Sequence, residues 1–460
     1  MKYFFDVQNK LGAFAIASGI FAVITTINSQ TIQLTLWDKD FSKPISILQW
    51  VNLSYLLTAA VSTLLIGRFA DLIGRKKMFM YGLGIYGVAT SMLIFVNSFG
   101  LLLAIRSLQA LGAQCVMGLS IGLMTTMFGD NNRGAAVGLN TAVGAFGVLF
   151  VPLSIGYLAE NGNWRLFFIF PTLLSLVSIL LLRRINIGTE QATISKVDYR
   201  SLFFITLILS SFSSSLTFFR IEEVSNVISF ALLLLTPFFA WMFVKRQKLV
   251  ENPILPRGLR QDKRFMISLL CVILYFISIG GWSILSPYFF TQGMGFNSFQ
   301  YGLMGTGFGL ILVPMSLYAG KIYDSKGLKV SLYIGAVGNI IAGIIWITTP
   351  YFLNIPYVLL NGVFGIAPLV AAVATDAEII SKFNLQNRGT GSSMIETLHV
   401  IFAIAGTVIY SLIYDLSLHK FIGPEATYST EIFCFLTGII AVTNWGFLAY
   451  LVKKNEKVLQ

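Results

Sequence analysis

The chain has 460 residues, of which 56% are hydrophobic and 11% charged, with a formal net charge of +12 and a mean hydropathy of +0.77. A soluble globular domain carries about 25% charged residues, so this composition excludes one and specifies a polytopic membrane protein. The positive charge follows membrane topology rather than nucleic acid. The three cysteines, Cys115, Cys271 and Cys434, lie in apolar stretches and suggest neither a disulfide framework nor a metal site.

A membrane helix needs about 20 predominantly apolar residues. Fourteen stretches qualify, near 11–34, 48–67, 78–97, 100–127, 134–158, 164–183, 199–219, 224–244, 265–290, 299–320, 329–349, 353–378, 390–415 and 431–452. They are long and continuous and lack period-2 alternation, which excludes a closed barrel. The expected fold is therefore all-α. The N-terminus has a short basic tail and no small-residue cleavage site, so the first stretch reads as an uncleaved helix. With both termini cytoplasmic, Lys39, Lys43, Arg165, Arg220 and Lys420 fall outside. Arg106 lies within helix 4, and the rest of the 32 Lys and Arg fall on inner loops and tails. That bias is the positive-inside pattern.

Helix 1 ends in NSQTIQLTLW, Asn28 to Trp37. Asn28 and Gln33 either hydrogen-bond a substrate or join helix to helix. Helix 2 opens as WVNLSYLL, with Trp50, Val51 and Tyr55, and runs into GRFADLIGRKK at 67–77. A second copy, GKIYDSKGLK, occupies 320–329. Both follow Gly-[Arg/Lys]-x-x-Asp-x-x-Gly-x-[Arg/Lys], with Gly67, Asp71, Gly74 and Arg75 in the first and Gly320, Asp324 and Gly327 in the second. Gly67 and Gly320 are expected to end their helices, since Gly tolerates the positive φ of a C-cap. Asp71 and Asp324 are expected to hold the N-terminus of a following helix through its dipole.

Helix 4 contains Arg106 and Gln109 in LLLAIRSLQALGA. A charge inside the membrane is costly and faces a cavity or a partner; the alternative is a structural Arg satisfied by backbone carbonyls. Helix 5 carries Gly147, Pro152 and Gly156 in GLNTAVGAFGVLFVPLSIGYLAE. Its small residues permit close helix approach, and Pro152 bends the helix. Helix 6 begins NWRLFFIFP. Polar linkers at 183–200 and 245–264 flank helices 7 and 8, whose connecting hairpin is capped by Glu222 and Glu223, read as a solvated turn. Tyr55, Trp282, Tyr288 and Phe289 are aromatic groups available to stack against a flat ligand.

No acidic residue lies within the spans of helices 1–6. Asp376 and Glu378 end helix 12, and Glu396 lies about two turns into helix 13. Proton coupling needs a buried titratable group. Glu396 is the first candidate carrier and Asp376 the second, the alternative being an inner-end network with Arg388 or Lys382. His399 shares a face with Glu396 and histidine is the side chain suited to titrate in the working range, so it is a secondary candidate, the alternative being a lone His facing other helices.

The duplicated 67–77 loop resembles the signature between helices 2 and 3 of major facilitator superfamily transporters. The elements WV…Y, NWRLFFIFP, PYFFTQGMGFNSFQYGLMGTGFGLILVP (287–314) and RGTGSSMIET (388–397) resemble the 14-helix drug:proton antiporter family, which contains bacterial multidrug and tetracycline efflux pumps. The resemblance covers nearly the whole chain. It implies a major facilitator fold of six, two and six helices. The N-terminal bundle would span 1–185, a linker and two inserted helices 186–244, a basic cytoplasmic linker 245–264, and the C-terminal bundle 265–460. The cavity would lie between halves near the midplane, and Arg106 would take part in proton coupling. The chain departs from the family pattern at Ala110, Val151 and Ile155, where Gly is expected. In helix 1, Asn28 takes the place of the acid, Gln33 of Asn and Trp37 of Pro. An Asn does not titrate, which disfavours multivalent cations and favours neutral, zwitterionic or monocationic cargo.

The expected function is proton-coupled export of hydrophobic drugs across a bacterial cytoplasmic membrane by alternating access. The expected partners are drugs, protons and the lipid bilayer, for a monomer with no cofactor, metal or nucleic acid. The alternative is a narrow exporter of one antibiotic or metabolite on the same fold. No GxxxxGK[ST] loop supports ATP-driven transport, and no nucleophile–base constellation supports an enzyme.

Overall fold

The computed structural model describes residues 7–29, 50–160, 164–185, 199–218, 226–250, 258–288, 298–348, 366–420 and 448–455, with positions 37, 40, 41, 48 and 446. Among the described residues there is no strand. The helices are α1 (Val7–Asn28), α2 (Trp50–Ile73), α3 (Arg75–Met92), α4 (Phe99–Phe128), α5 (Arg133–Glu160), α6 (Ile169–Arg184), α7 (Tyr199–Phe218), α8 (Asn226–Leu249) and α9 (Lys263–Tyr288). The stretch Ser298–Thr348 is two helices, α10 and α11, that meet at Gly327. α12 (Pro368–Ser381) and α13 (Arg388–Lys420) follow, and residues 448–454 are helical where a fourteenth span is expected. By length and composition, seven helices among the described residues suffice to cross a membrane. The count is eight if the bent pair Trp50–Thr63 and Leu65–Ile73 forms one span.

Backbone polar groups in lipid must be satisfied internally, which a helix does for every residue but its ends. The hydroxyls scattered through these apolar helices follow the same rule by donating to carbonyls three or four residues back. Ser18 donates to Ala15 O at 2.9 Å, Thr26 to Val23 O at 2.9 Å and Thr125 to Ile121 O at 2.8 Å. Glycines set how closely the rods cross. A Cβ on Gly112 would sit 2.5 Å from Tyr86 N, so α4 meets the α3 backbone directly. Lipid tails are as apolar as Leu, so small residues and close approach drive such packing. Outward faces carry large apolar side chains, among them Leu173, Leu176 and Leu180 on α6 and Val227, Leu234 and Phe238 on α8.

The glycine expectation is corrected by the structure. Gly67 lies inside α2 and Gly320 inside α10, and neither has a positive φ. The breaks fall on the second glycine of each motif, Gly74 at φ 99° and Gly327 at φ 78°. The first glycine is required for a different reason, a close approach described below.

The chain divides into two compact units, 1–132 with 146–259 and 380–401, and 133–145 with 260–379 and 402–460. In the first unit, Trp37, Val51, Leu93, Leu102, Val151, Trp164 and Phe168 form one core cluster. The edge-on pair Trp37–Trp164, with ring centroids 4.6 Å apart, lies within it. Arg165 ties its rim by an ion pair to Asp40 at 2.7 Å and a bond to Val96 O at 3.0 Å. In the second unit, Cys271, Leu328, Leu332, Ala336, Ala371 and Val452 pack together. The helices α5 and α13 each begin in one unit and end in the other, changing at 145/146 and 401/402.

Candidate functional site

In the first unit, Arg106 is fully buried on α4. Its Nη1 donates to Gln109 Oε1 at 2.6 Å, and Gln109 Nε2 donates onward to Thr90 Oγ1 of α3 at 2.9 Å. The guanidinium lies 5.0 Å from the centroid of the Tyr55 ring on α2. One turn before Thr90 on the same face of α3, Tyr86 donates to Ala22 O at 2.6 Å and lies 3.0 Å from Thr26 Oγ1. Four helices thus converge on one buried cation. Sequence reasoning placed Arg106, Gln109 and Tyr55 here but missed Thr90 and Tyr86, which a sequence presents as ordinary polar residues of an apolar helix.

The Tyr55 phenol is within electrostatic reach of both Arg106 and Glu396. Glu396 lies on α13 with His399 one turn later, Oε2 to Nδ1 at 3.6 Å, and their side chains are 14% and 15% exposed. These two candidates therefore meet each other. Asp376 falls in the second unit, buried near Cys271 and Tyr275, so the first two carrier candidates do not share a unit. Glu378 accepts from Tyr323 OH at 2.9 Å and faces Arg264 at 3.7 Å. Arg388 is paired with Asp130.

The duplicated loops form two clasps of one design. In the first unit, the Asp71 carboxylate accepts from Gly389 N at 2.8 Å, Thr390 N at 2.8 Å and Thr390 Oγ1 at 2.6 Å. In the second unit, Asp324 accepts from Gly134 N and Ala135 N, each at 2.8 Å. Each aspartate caps a helix N-terminus, where four amide hydrogens lack intrahelical partners and the dipole favours an anion. The helices capped are α13 and α5, not the ones that follow each loop, which corrects the sequence expectation. The first glycines make the approach possible. A Cβ on Gly67 would lie 2.5 Å from Ser393 Cβ and 2.7 Å from Gly389 O. One on Gly320 would collide with Gly134 O. Gly122 N donates to Ser392 Oγ at 3.1 Å, Ser393 Oγ to Gly118 O at 3.0 Å, and Arg75 Nη2 to Leu385 O at 2.8 Å, closing the first clasp. Beside it, Lys76 donates to Ile185 O at 2.5 Å, and its partial burial lowers its pKa from the usual lysine value.

A readable signal for the receiving ends existed. The tripeptide Asn-Arg-Gly opens α5 at 132–134 and α13 at 387–389, each preceded by a 3-10 turn, Asp130–Asn132 and Leu385–Asn387. Gly67→Val is expected to overpack this contact, at a cost of about 1–3 kcal/mol. Thermal unfolding of the detergent-purified variant measures it, and an unchanged Tm would show that the two helices are not held at this separation.

The helix 5 residues Gly147, Pro152 and Gly156 lie within α5; the side chain of Pro152 and the surroundings of Gly156 are not described, nor are the side chains of Asn28, Trp282 and Tyr288. Gln33, Phe289, Glu222 and Glu223 lie outside the described residues altogether. Among the described residues no cluster of His, Cys, Asp and Glu has the makings of a metal site.

Residues 13–407 match the model of the Major Facilitator Superfamily. The chain belongs to the major facilitator superfamily. It is thus a multi-pass membrane transporter and not an enzyme. It is 22% identical over 384 residues to the riboflavin transporter RibZ of Clostridioides difficile, covering 82% of each chain. It is 23% identical over 376 residues to the quinolone resistance protein NorB of Staphylococcus aureus, covering 80% of each. Among solved structures it matches the human organic anion transporter MFSD10 with a TM-score of 0.68 at 12% identity, covering 96% of this chain and 100% of that one. That likeness carries the major facilitator fold and nothing finer.

Proposed function

We propose that this transporter exports hydrophobic drugs in exchange for protons by alternating access, as a monomer in a bacterial cytoplasmic membrane with both termini inside. The observation that carries the reading is the Glu396–His399 pair, two partly exposed titratable groups one turn apart. They sit on the same helix whose first turn is clasped by Asp71. A proton taken at Glu396 and a release of the clasp then act on one rod. The relative NorB, a quinolone resistance protein, supports drug cargo. One inward proton yields about 2.3 kcal/mol per 100 mV. At about 1.36 kcal/mol per tenfold, that sustains roughly a 50-fold gradient of a neutral drug, so one carrier suffices. The test is drug-triggered proton movement in proteoliposomes, with ethidium and a fluoroquinolone as cargo. Flux that depends on both drug and pH gradient is expected; none across the drug panel overturns the reading.

A second reading, transport of a single metabolite, is favoured by the match to the riboflavin transporter RibZ and by the absence of an acid in helix 1. Riboflavin-triggered flux with a silent drug panel would select it. Under the first reading, Asn28→Asp is expected to widen the cargo range to more cationic drugs. Growth inhibition by a panel of mono- and dications reads this out, and an unchanged range removes Asn28 from the pocket.

A further inference from the structure

The buried cation on α4 is incompletely satisfied, and what it lacks has a definite shape. A guanidinium carries five N–H donors in a planar fork. Arg106 uses Nη1 toward Gln109, while among the described residues Nε and Nη2 have no hydrogen-bond partner although the residue is fully buried. These two nitrogens share one edge of the fork, the edge that grips both oxygens of a carboxylate side-on. The hydroxyl of Tyr55, a residue 3% exposed whose ring lies beside the same guanidinium, is also without a hydrogen-bond partner among the described residues. Buried polar groups are ordinarily paired, and a buried charge without an opposite charge is costly. The Nε–Nη2 edge thus presents two parallel N–H donors carrying a positive charge, with the Tyr55 hydroxyl on the ring that the guanidinium lies beside. A neutral acceptor matches the donors but not the charge; a cation matches neither.

We propose that Arg106 and Tyr55 form the receptor for the carboxylate of an anionic or zwitterionic cargo. The cargo class rests on the transport reading above, and the receptor itself on the geometry alone. Gln109 and Thr90 fix the third corner of the fork, so that the Nε–Nη2 edge is held in one direction before the ligand arrives. Glu396 is the other source of the same chemistry, since it acts electrostatically on Tyr55. The experiment separates the two.

Binding is measured by equilibrium dialysis on the full-length, detergent-purified protein, using two matched pairs: 1-naphthoate with 1-naphthamide, and a fluoroquinolone with its methyl ester. Wild type is expected to prefer the acid at least tenfold in one pair or both. Arg106→Gln is expected to erase that preference while the neutral partner binds as before, which also certifies the fold. Tyr55→Phe, which removes one oxygen, is expected to weaken the acid about threefold and leave its neutral partner unchanged. It stands as the test if Arg106→Gln does not fold. Absence of acid preference in both wild-type pairs overturns the proposal. So does an equal loss for acid and neutral ligand in Arg106→Gln or Tyr55→Phe, as expected if these donors serve Glu396 only. Failure of the efflux reading would appear separately, as absent proton flux with acid preference intact.

Discussion

Glu396→Gln is expected to abolish gradient-driven drug accumulation in inverted vesicles while leaving drug affinity within about twofold of wild type. The amide is nearly isosteric with the carboxyl, so packing on α13 is preserved and only the titratable proton is lost. Without it the exchange has no driving ion. The accumulation ratio should fall from the roughly 50-fold that one proton sustains at 100 mV to unity, with passive equilibration remaining. A variant that loses kcat with an unchanged binding constant has lost a step after binding, which is the signature required of a carrier. His399→Gln should have a smaller effect, because the imidazole lies 3.6 Å from the carboxylate and tunes it rather than replacing it. Full accumulation by Glu396→Gln would move the carrier elsewhere, and Asp376→Asn would be the next variant.

How much of this was legible follows from which interactions are local. Helix positions were readable because a span is set by about 20 apolar residues in a row, and α1 to α9 fall close to the expected stretches. The duplicated aspartates were readable as a motif. Their partners were not, because Asp71 and Gly389 are 318 residues apart. No periodicity reaches that far. The glycine assignment failed for a related reason. Gly67 and Gly74 look alike in sequence, but one is small because another helix presses on it and the other because the chain turns there. Arg106 announced itself as a charge in an apolar run. That its Nε–Nη2 edge is without a partner among the described residues while Nη1 is held by Gln109 one turn away is something only packing decides. Glu396 and Asp376 read as the first and second carrier candidates on consecutive helices, whereas the fold assigns them to different units.

Asp71→Asn is expected to slow transport about tenfold with drug affinity nearly unchanged. Asp71 supplies a carboxylate to two backbone amides and a hydroxyl at the first turn of α13, and hydrogen bonds to a charged group contribute about 1.5–3 kcal/mol. The amide retains one acceptor oxygen but loses the charge that the helix dipole favours. A net loss of about 2 kcal/mol shifts the clasped population roughly 30-fold at 1.36 kcal/mol per tenfold. Asp324→Asn removes the same device from α5, but its carboxylate is more exposed and meets two amides rather than three groups. A loss of about 1 kcal/mol, the usual worth of an N-cap, is expected there, or roughly a fivefold shift. A cysteine placed by Ser392→Cys, at a fully buried position beside the first clasp, reports release directly. It should react slowly with a water-soluble maleimide in the parent and many times faster with Asp71→Asn added. It should change little with Asp324→Asn, since the two clasps lie in different units and share no partner. If the two substitutions instead accelerate labelling equally, the clasps release together, and α5 and α13 move as one switch. Unchanged transport and unchanged labelling in Asp71→Asn would leave the duplicated loop as a marker of topology alone.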